Sequence, residues 1–261
     1  MPELPEVEIY ARYFARHALQ QPIARVDVRD ERILGGIRKA RFAKRLRGRS
    51  FSHVQRHGKH LFADAGSEWL HLHFGMTGDL VYYRDAAEEP RFARIVFDFA
   101  NGAHLAFEDM RLFGVADLTP SPAVYIAEHG LGPDPLDPGF TLRDFRAIVR
   151  GRRGAIKALL MSQDAIAGLG NLYVDETLFQ TSIHPRRAAD AMSDGEVKAV
   201  FTAMRRILRD LIERKSEGRT YPPRFLTMHR EEEERCPRCG GTIARTVVFG
   251  RTTYFCPRHQ R

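Results

Sequence analysis

Four potential metal ligands near the end of the chain constrain the fold more than any other sequence feature. Cys236 and Cys239 are separated by two residues, as are Cys256 and His259, and sixteen residues lie between the two pairs. Each pair can close a tight turn around a segment, 246–255, that has the pattern of a hairpin, so the spacing predicts a zinc ribbon. Four protein ligands leave no open coordination position, so we expect one structural Zn²⁺. Free thiols in a reducing compartment are the alternative.

The charge balance narrows the class of partner. The chain has 261 residues, with 41 Lys and Arg against 33 Asp and Glu, a formal net charge of +8. This excess suits a polyanion, although ribosomal and membrane-surface proteins share it. The first residues carry acids where a signal peptide needs bases, and no apolar run approaches the roughly 18 residues of a membrane span. We therefore expect a cytoplasmic protein with no membrane partner.

The pattern of residues changes along the chain and predicts an α+β protein with four parts. Residues 1–119 read as a β-rich lobe behind an N-terminal helix, and Asn101-Gly102 is typical of a hairpin turn. Residues 120–138 are rich in proline and glycine and read as a linker. Residues 139–225 read as a helical lobe, and 226–261 form the predicted zinc ribbon. A hinge between two lobes would leave a cleft for a duplex.

The beginning of the chain has chemical potential of its own. If Met1 is removed, Pro2 becomes an N-terminal secondary amine, and an α-amino group with a pKa of about 7.7 to 8.0 is partly neutral near pH 7. Pro5 and the nearby acids are typical of a helix start, whose positive end disfavours protonation of the amine. Such an amine can attack a sugar carbon. The alternative is that these residues only begin a helix.

Two internal motifs allow both structural and functional interpretations. Glycines interrupt a helical pattern before Asn171, which predicts a helix, two turns and a second helix, with backbone N–H groups converging on a phosphate site. Taken alone, Asn171 is more simply a helix N-cap. The segment Arg38–Arg49 holds seven Lys or Arg in twelve residues, which we interpret as the solvated face of a strand.

Several motifs together resemble one family. The first eight residues, Met1–Glu8, and the segments 56–60, 71–78, 108–114, 154–180 and 250–254 are similar to the formamidopyrimidine-DNA glycosylase / endonuclease VIII family of base-excision repair enzymes. The resemblance is closer to the formamidopyrimidine branch. It implies a β-sandwich-like lobe with an N-terminal helix, and a helical lobe with a helix-two-turns-helix element and a zinc ribbon. It also implies a monomer, located in the bacterial cytosol and nucleoid, that excises oxidised bases from double-stranded DNA and cleaves abasic sites.

The resemblance also implies roles for individual residues. Pro2 would attack the sugar, Glu3 would act as general acid and proton shuttle, and Glu6 would hold the amine. The phosphate contacts would be Lys59, which belongs to the catalytic set, together with Asn171 and Arg251. The gap left by an extruded base would be filled by Met76 and Phe113, with Arg111 facing the orphaned base. His259 stands where the family usually has a fourth cysteine.

One departure from the family affects the choice of substrate. The connection 215–225 is short, where members that excise 8-oxoguanine usually carry a longer loop over the everted base. We therefore expect formamidopyrimidines, hydantoins and oxidised pyrimidines to be better substrates than 8-oxoguanine. A non-catalytic damaged-DNA-binding protein with a zinc ribbon is the competing interpretation, and Pro2 discriminates against it, because binding alone has no use for a free prolyl amine.

Overall fold

The computed structural model describes all residues from 1 to 261 in two compact units, Met1–Gly130 and Leu131–Arg261. The helices are α1 Leu4–Ala18, α2 Lys39–Leu46, α3 Pro122–Glu128, α4 Leu142–Arg150, α5 Ile156–Met161, α6 Asn171–Thr181 and α7 Asp194–Ser216. The strands are β1 Ile23–Val28, β2 His53–His57, β3 His60–Asp64, β4 Trp69–His73, β5 Gly78–Tyr83, β6 Ala93–Phe99, β7 His104–Asp109, β8 Val115–Thr119, β9 Ala244–Val248 and β10 Arg251–Phe255. None of the helices combines the length and apolar character that crossing a membrane requires.

The first unit is a two-sheet structure with α1 packed on its core. One sheet has the order β1-β6-β7-β5 and the other the order β2-β3-β4-β8, and all neighbouring strands are antiparallel. Helix α1 buries Val7, Ala11, Phe14 and Ala18, which recur at helical spacing, in the same core as side chains from both sheets. The Asn101-Gly102 turn joins β6 to β7, as predicted. The predicted β-sandwich-like lobe with an N-terminal helix is confirmed.

The basic stretch 38–49 does not form a strand. Most of it is helix α2, whose buried residues Phe42 and Leu46 are four positions apart and share one face. The cations occupy the remaining, mainly exposed positions. The strand interpretation was wrong because it weighed the charges and ignored the helical spacing of the two apolar residues.

The proline-rich stretch 120–138 contains a helix that belongs to the first unit. Ser121 caps α3 by accepting a hydrogen bond from the Val124 N–H at 3.2 Å, and Pro122 takes the first helical position, where it loses no backbone bond. Tyr125 of this helix stacks between His71 and His129, with ring centroids 4.0 and 3.8 Å away. The boundary between the two compact units lies immediately after Gly130.

The second unit is helical and carries the β9–β10 hairpin. Helices α4 and α6 pack against α7, whose N-terminus is closed by a capping box of Ser193 and Glu196. Helix α6 also contacts β10, and Phe179 of α6 lies in one apolar cluster with Ile243 and the buried cysteines. The predicted helix, turns and helix correspond to α5, the segment 162–170 and α6.

Candidate functional site

Pro2 lies directly before the N-terminus of α1. The N-cap is Glu3, a buried residue whose backbone N–H donates to Glu6 Oε2 at 2.9 Å in a capping box. Pro2 itself is half-buried. The positive end of the helix dipole therefore lies beside the residue whose amine the sequence singles out.

The next turn of α1 connects to strand β5 through two groups with altered pKa values. Burial, reinforced by the Asp79 and Glu6 carboxyls, raises the pKa of Tyr10 above its ordinary value. Burial also raises the pKa of Asp79, which is hydrogen-bonded to Tyr10. Tyr10 thus lies near Glu6 at the helix N-terminus and links α1 to strand β5 through its hydrogen bond to Asp79.

Lys59 lies in the tight turn between β2 and β3. Gly58 precedes it with φ +57°, a conformation that glycine adopts without strain, and Lys59 is buried. Arg56 ties this turn to α1, because its Nε donates to Glu8 Oε2 at 3.0 Å and its guanidinium donates to the Gly58 carbonyl at 3.2 Å. Burial, followed by the Lys59 charge, lowers the pKa of His73 to about 4. Sequence reasoning assigned Arg56 no role.

Met76, Arg111 and Phe113 lie on two adjacent loops, 74–77 and 110–114, which we call the insertion loops. The Met76 and Phe113 side chains are 42% and 54% exposed, unusual values for large apolar groups. The Arg111 guanidinium lies 4.9 Å from the centroid of the Phe113 ring. The loops touch at Gly75 (φ +55°), where a Cβ would come within 2.3 Å of the Phe113 carbonyl carbon. Met110, which the sequence did not single out, is also exposed at 53%.

Asn171 is not a helix cap. The N-cap of α6 is Gly170, and Asn171 Nδ2 instead donates to the Thr252 carbonyl of β10 at 2.9 Å. The Asn171 Oδ1 atom is buried without a hydrogen-bond partner. The simpler N-cap interpretation was therefore wrong, because the side chain turns away from its own helix toward the strand that carries Arg251. Arg251 is exposed, and Asn171 contacts the residue next to it.

A buried ion pair fixes the rest of β10. Lys157 of α5 and Asp175 of α6 are fully buried and 2.6 Å apart, and Lys157 Nζ also donates to Thr253 Oγ1 at 2.6 Å. The second Asp175 oxygen accepts from Arg230 at 2.7 Å and from the Tyr254 N–H at 3.3 Å. Burial raises the pKa of Asp175, and the two cations oppose that rise. We call these contacts, together with that of Asn171, the β10 anchor.

The predicted zinc ligands form one cluster. The ligand atoms of Cys236, Cys239, Cys256 and His259 all lie within 4.8 Å of one another. Cys239 Sγ and Cys256 Sγ are 3.5 Å apart, and Cys236 Sγ is 3.6 Å from His259 Nδ1. A tetrahedral Zn²⁺ with bonds of about 2.3 Å to sulfur and about 2.0 Å to nitrogen requires a sulfur–sulfur distance of about 3.8 Å and a sulfur–nitrogen distance of about 3.5 Å. Burial lowers the pKa of His259, which favours the neutral imidazole that a metal binds. The donor set fits one structural zinc, as predicted.

Three family models match successive parts of the chain. Residues 1–116 match the formamidopyrimidine-DNA glycosylase N-terminal domain, and residues 131–222 match the helix-two-turns-helix domain of the same enzymes. Residues 233–258 match a zinc finger found in formamidopyrimidine-DNA glycosylases and isoleucyl-tRNA synthetases. Together with the geometry of the two units, these matches define the class of protein, a DNA glycosylase with a zinc finger.

Whole-chain relatives agree with this class. Formamidopyrimidine-DNA glycosylases of Heliobacterium modesticaldum and Geobacter metallireducens are 36% and 35% identical to the chain, which they match over the full length of both proteins. The crystal structure of the Lactococcus lactis enzyme bound to abasic-site DNA has a TM-score of 0.88 and 27% identity, with 99% of each chain covered. The structure of MutM with DNA containing carbocyclic 8-oxoguanine has a TM-score of 0.89 and 28% identity over both full chains. The chain belongs to the formamidopyrimidine-DNA glycosylase family and is a glycosylase of oxidised-base repair.

Proposed function

We propose that this chain, once Met1 is removed, is a bifunctional glycosylase that also cleaves abasic sites, with Pro2 as its nucleophile. The observation that carries the proposal is the position of Pro2 directly before the buried N-cap Glu3. The helix dipole disfavours the protonated amine there, so a larger fraction of Pro2 is available to attack. Glu6 holds the Glu3 backbone and keeps the turn in place. The non-catalytic alternative has no support in the comparisons.

The proposed reaction has two stages. The neutral amine of Pro2 attacks C1′ of an extruded nucleotide while the bond from C1′ to the base breaks, and the amine proton passes to the departing base. Glu3 then gives a proton to the sugar ring oxygen as the ring opens and the iminium forms. The resulting iminium withdraws electrons from C2′, so the Glu3 carboxylate takes up the C2′ proton while the bond from C3′ to the phosphate oxygen breaks and the phosphate leaves. Water then hydrolyses the iminium and restores the amine. The zinc has no part in these steps.

The proposed partner is duplex DNA, bound by a monomer in the bacterial cytosol at the nucleoid. The related structures contain DNA with abasic sites or lesion analogues, and the net charge of +8 suits a polyanion. Lys59, Asn171 and Arg251 are assigned to the phosphates beside the lesion. The Lys59 turn is held by Arg56, and Arg251 begins the strand that the β10 anchor fixes.

The insertion loops are assigned to the gap that an extruded nucleotide leaves in the duplex. Unstacking a base costs a few kcal/mol, and apolar side chains inserted between bases offset part of that cost. Met76 and Phe113 have the exposure and character for this task, and the Arg111 guanidinium can donate to the orphaned base. The N-terminal amine and the insertion loops both belong to the first unit.

The lesion preference follows from the short connection after α7. Residues 217–225 stay close to their own unit, because the Arg219 N–H donates to the Arg214 carbonyl at 2.8 Å and Lys215 Nζ lies 4.8 Å from the Tyr221 ring centroid. Tyr221 and Tyr173 share a hydroxyl hydrogen bond of 3.2 Å. The segment is short and held on its own unit, and telling 8-oxoguanine from guanine needs an enclosing pocket. We propose that formamidopyrimidines, hydantoins and oxidised pyrimidines are excised faster than 8-oxoguanine.

Borohydride trapping tests the nucleophile. Reduction of the enzyme with an abasic-site duplex should give a covalent adduct that peptide mapping places on residue 2. Pro2→Gly or an uncleaved N-terminal tag should reduce activity severely, whereas the same tag at the C-terminus is the matched control and should leave the adduct in place. An adduct on a lysine in a fully active N-terminally tagged protein would refute the proposal.

Single-turnover rates on a matched panel test the lesion preference. The panel holds the flanking sequence and the opposite cytosine constant and varies only the damaged base. We expect 8-oxoguanine to be excised more slowly than a formamidopyrimidine or a hydantoin. Equal rates would show that another segment encloses the base.

A further inference from the structure

We propose that Asp109 is a positioning residue that holds the two insertion loops together as one rigid body, so that Met76, Arg111 and Phe113 enter the duplex in a fixed arrangement. This inference rests on the proposed function of those three side chains. Asp109 is the last residue of β7 and is fully buried. It does not need to touch DNA to act in this way.

The Asp109 carboxylate receives hydrogen bonds from both insertion loops. On the first loop, the Thr77 hydroxyl donates to Oδ1. On the second, the Arg111 N–H donates to Oδ1 at 3.1 Å and the Gly114 N–H donates to Oδ2 at 2.7 Å. The Arg111 N–H is also 3.1 Å from the Thr77 hydroxyl oxygen, so the loops share one network. A carboxylate suits this place because all its partners are donors.

The backbone around the carboxylate leaves little room for adjustment. A Cβ at Gly75 would overlap the Phe113 backbone, and a Cβ at Gly114 would lie 3.0 Å from both Asp109 Oδ2 and the His73 carbonyl oxygen. Leu112, at the centre of the second loop, has φ +56°, a strained value for a bulky residue other than glycine. The Asp109 carbonyl in turn accepts from Arg94 Nε at 2.7 Å. The tight contact and the strain persist because one buried group fixes both loops.

This arrangement has a functional consequence that a purely structural role would lack. Met76 is the residue before Thr77, and the backbone N–H of Arg111 donates to the Asp109 carboxylate. Moving either loop therefore changes the distance between the Met76 side chain and the Arg111 guanidinium. A group displaced by about 1 Å from its productive position can cost about a hundredfold in rate. Asp109 therefore sets how well Arg111 reads the opposite base and how fully the stack is filled.

The test compares Asp109→Asn and Thr77→Val with wild type. The amide of Asp109→Asn keeps the volume but replaces one acceptor by a donor, and Thr77→Val replaces the hydroxyl by a methyl group of similar size. We expect Asp109→Asn to lower single-turnover excision from duplex by about tenfold or more, since a bond to a charged group is lost. We expect Arg111 to give some preference for cytosine opposite the lesion, and in Asp109→Asn this preference should fall. The fluorescence of 2-aminopurine beside the lesion should also rise less on binding. Thr77→Val should give the same changes with smaller size.

Two measurements separate positioning from loss of the fold or of the chemistry. Single-stranded DNA has no base stack for the insertion loops to fill. Asp109→Asn should therefore cleave an abasic site in single-stranded DNA at a rate within about twofold of wild type. Asp98→Asn is the matched control, because Asp98 bonds His104 in the same sheet away from the loops and should leave opposite-base preference unchanged. If wild type traps through Pro2 but both Asp109→Asn and Thr77→Val retain the wild-type preference and fluorescence, the inference is overturned. If wild type does not trap, it is the proposed function that fails.

Discussion

The insertion loops and the β10 anchor hold their exposed residues by opposite physical means. In the loops, a single carboxylate accepts from backbone and hydroxyl donors that lie within 2 to 32 positions of it in sequence. In the anchor, a fully buried Lys157–Asp175 pair reaches Thr253, which lies 96 positions from Lys157. Both carboxylates are buried, but the donors to Asp109 are neutral, so losing one of them leaves no opposite charge unpaired, whereas a buried lysine that loses its carboxylate destabilises everything packed around it. The loops should therefore show defects mainly in function, and the anchor defects in both stability and function.

Zinc removal gives the largest expected effect, and it is confined to the second unit. Cys256→Ser should lose the metal, because a serine hydroxyl does not replace a thiolate ligand, and the ribbon then loses about 10 kcal/mol or more of folding free energy. DNA binding should weaken, since Arg251 is no longer held in place. His259→Cys should retain one zinc per chain by elemental analysis, because sulfur serves equally well. A Cys256→Ser protein that is active without zinc would contradict the proposal that the zinc ribbon positions Arg251 for phosphate binding.

Breaking the ion pair of the anchor comes next in size. Asp175→Ala leaves Lys157 buried without its carboxylate and should lower the free energy of unfolding by about 3 to 5 kcal/mol. The matched control is Asp164→Ala, which removes a half-exposed partner of Arg152 and should have a small effect. Denaturant unfolding measures the loss, and hydrogen exchange should place it in the second unit. If Asp175→Ala lowers the free energy of unfolding no more than Asp164→Ala does, the anchor does not differ from the insertion loops in its effect on stability.

Acid should weaken the first unit through its buried histidines. Burial lowers the pKa of His71 to about 3 and that of His60 to about 2, from an ordinary value near 6.5. The unfolded chain therefore binds protons that the folded unit excludes, so stability is complete above about pH 6.5 and falls as the pH drops toward 4. His71→Phe, placed between Phe62 and Tyr125, should reduce this pH slope by up to about 1.4 kcal/mol per pH unit. An unchanged slope between pH 6.5 and 4.5 would contradict this explanation.

Removing one cation from the proposed phosphate grip gives the smallest expected effect. Arg251→Ala should weaken binding to damaged and undamaged duplex alike and lower the salt slope by up to about one unit. Lys59→Ala should do the same from the first unit. Arg258→Ala is the control within the ribbon, because its guanidinium donates to the Cys239 carbonyl and has no assigned phosphate. Normal binding with an unchanged slope in Arg251→Ala would show that the phosphate contact lies elsewhere.

Features that depend on neighbours in sequence could be predicted, and features that depend on distant contacts could not. Each pair of zinc ligands, the start of α1 and the Asn101-Gly102 hairpin follow from spacing within a few residues. The ion pair of Lys157 and Asp175 could not be predicted from the sequence, because a charged residue in a helical pattern is normally exposed. Both residues are buried only because α5, α6 and β10 pack around them. Asn171 read as a cap for the same reason, since its true partner lies 81 positions away.

The contact between Arg111 and Phe113 bears on how the protein travels along undamaged DNA. The guanidinium rests near the ring that is assigned to enter the stack, and an exposed pair of this kind is worth about 0.5 to 1 kcal/mol. Parting the two groups is therefore little more costly than a thermal fluctuation, and re-forming the pair withdraws the ring again. We expect the protein to move along undamaged DNA with the Phe113 ring resting against Arg111 and to insert the ring only briefly at each base step. Only a base step that unstacks easily keeps the ring inserted long enough for chemistry to begin.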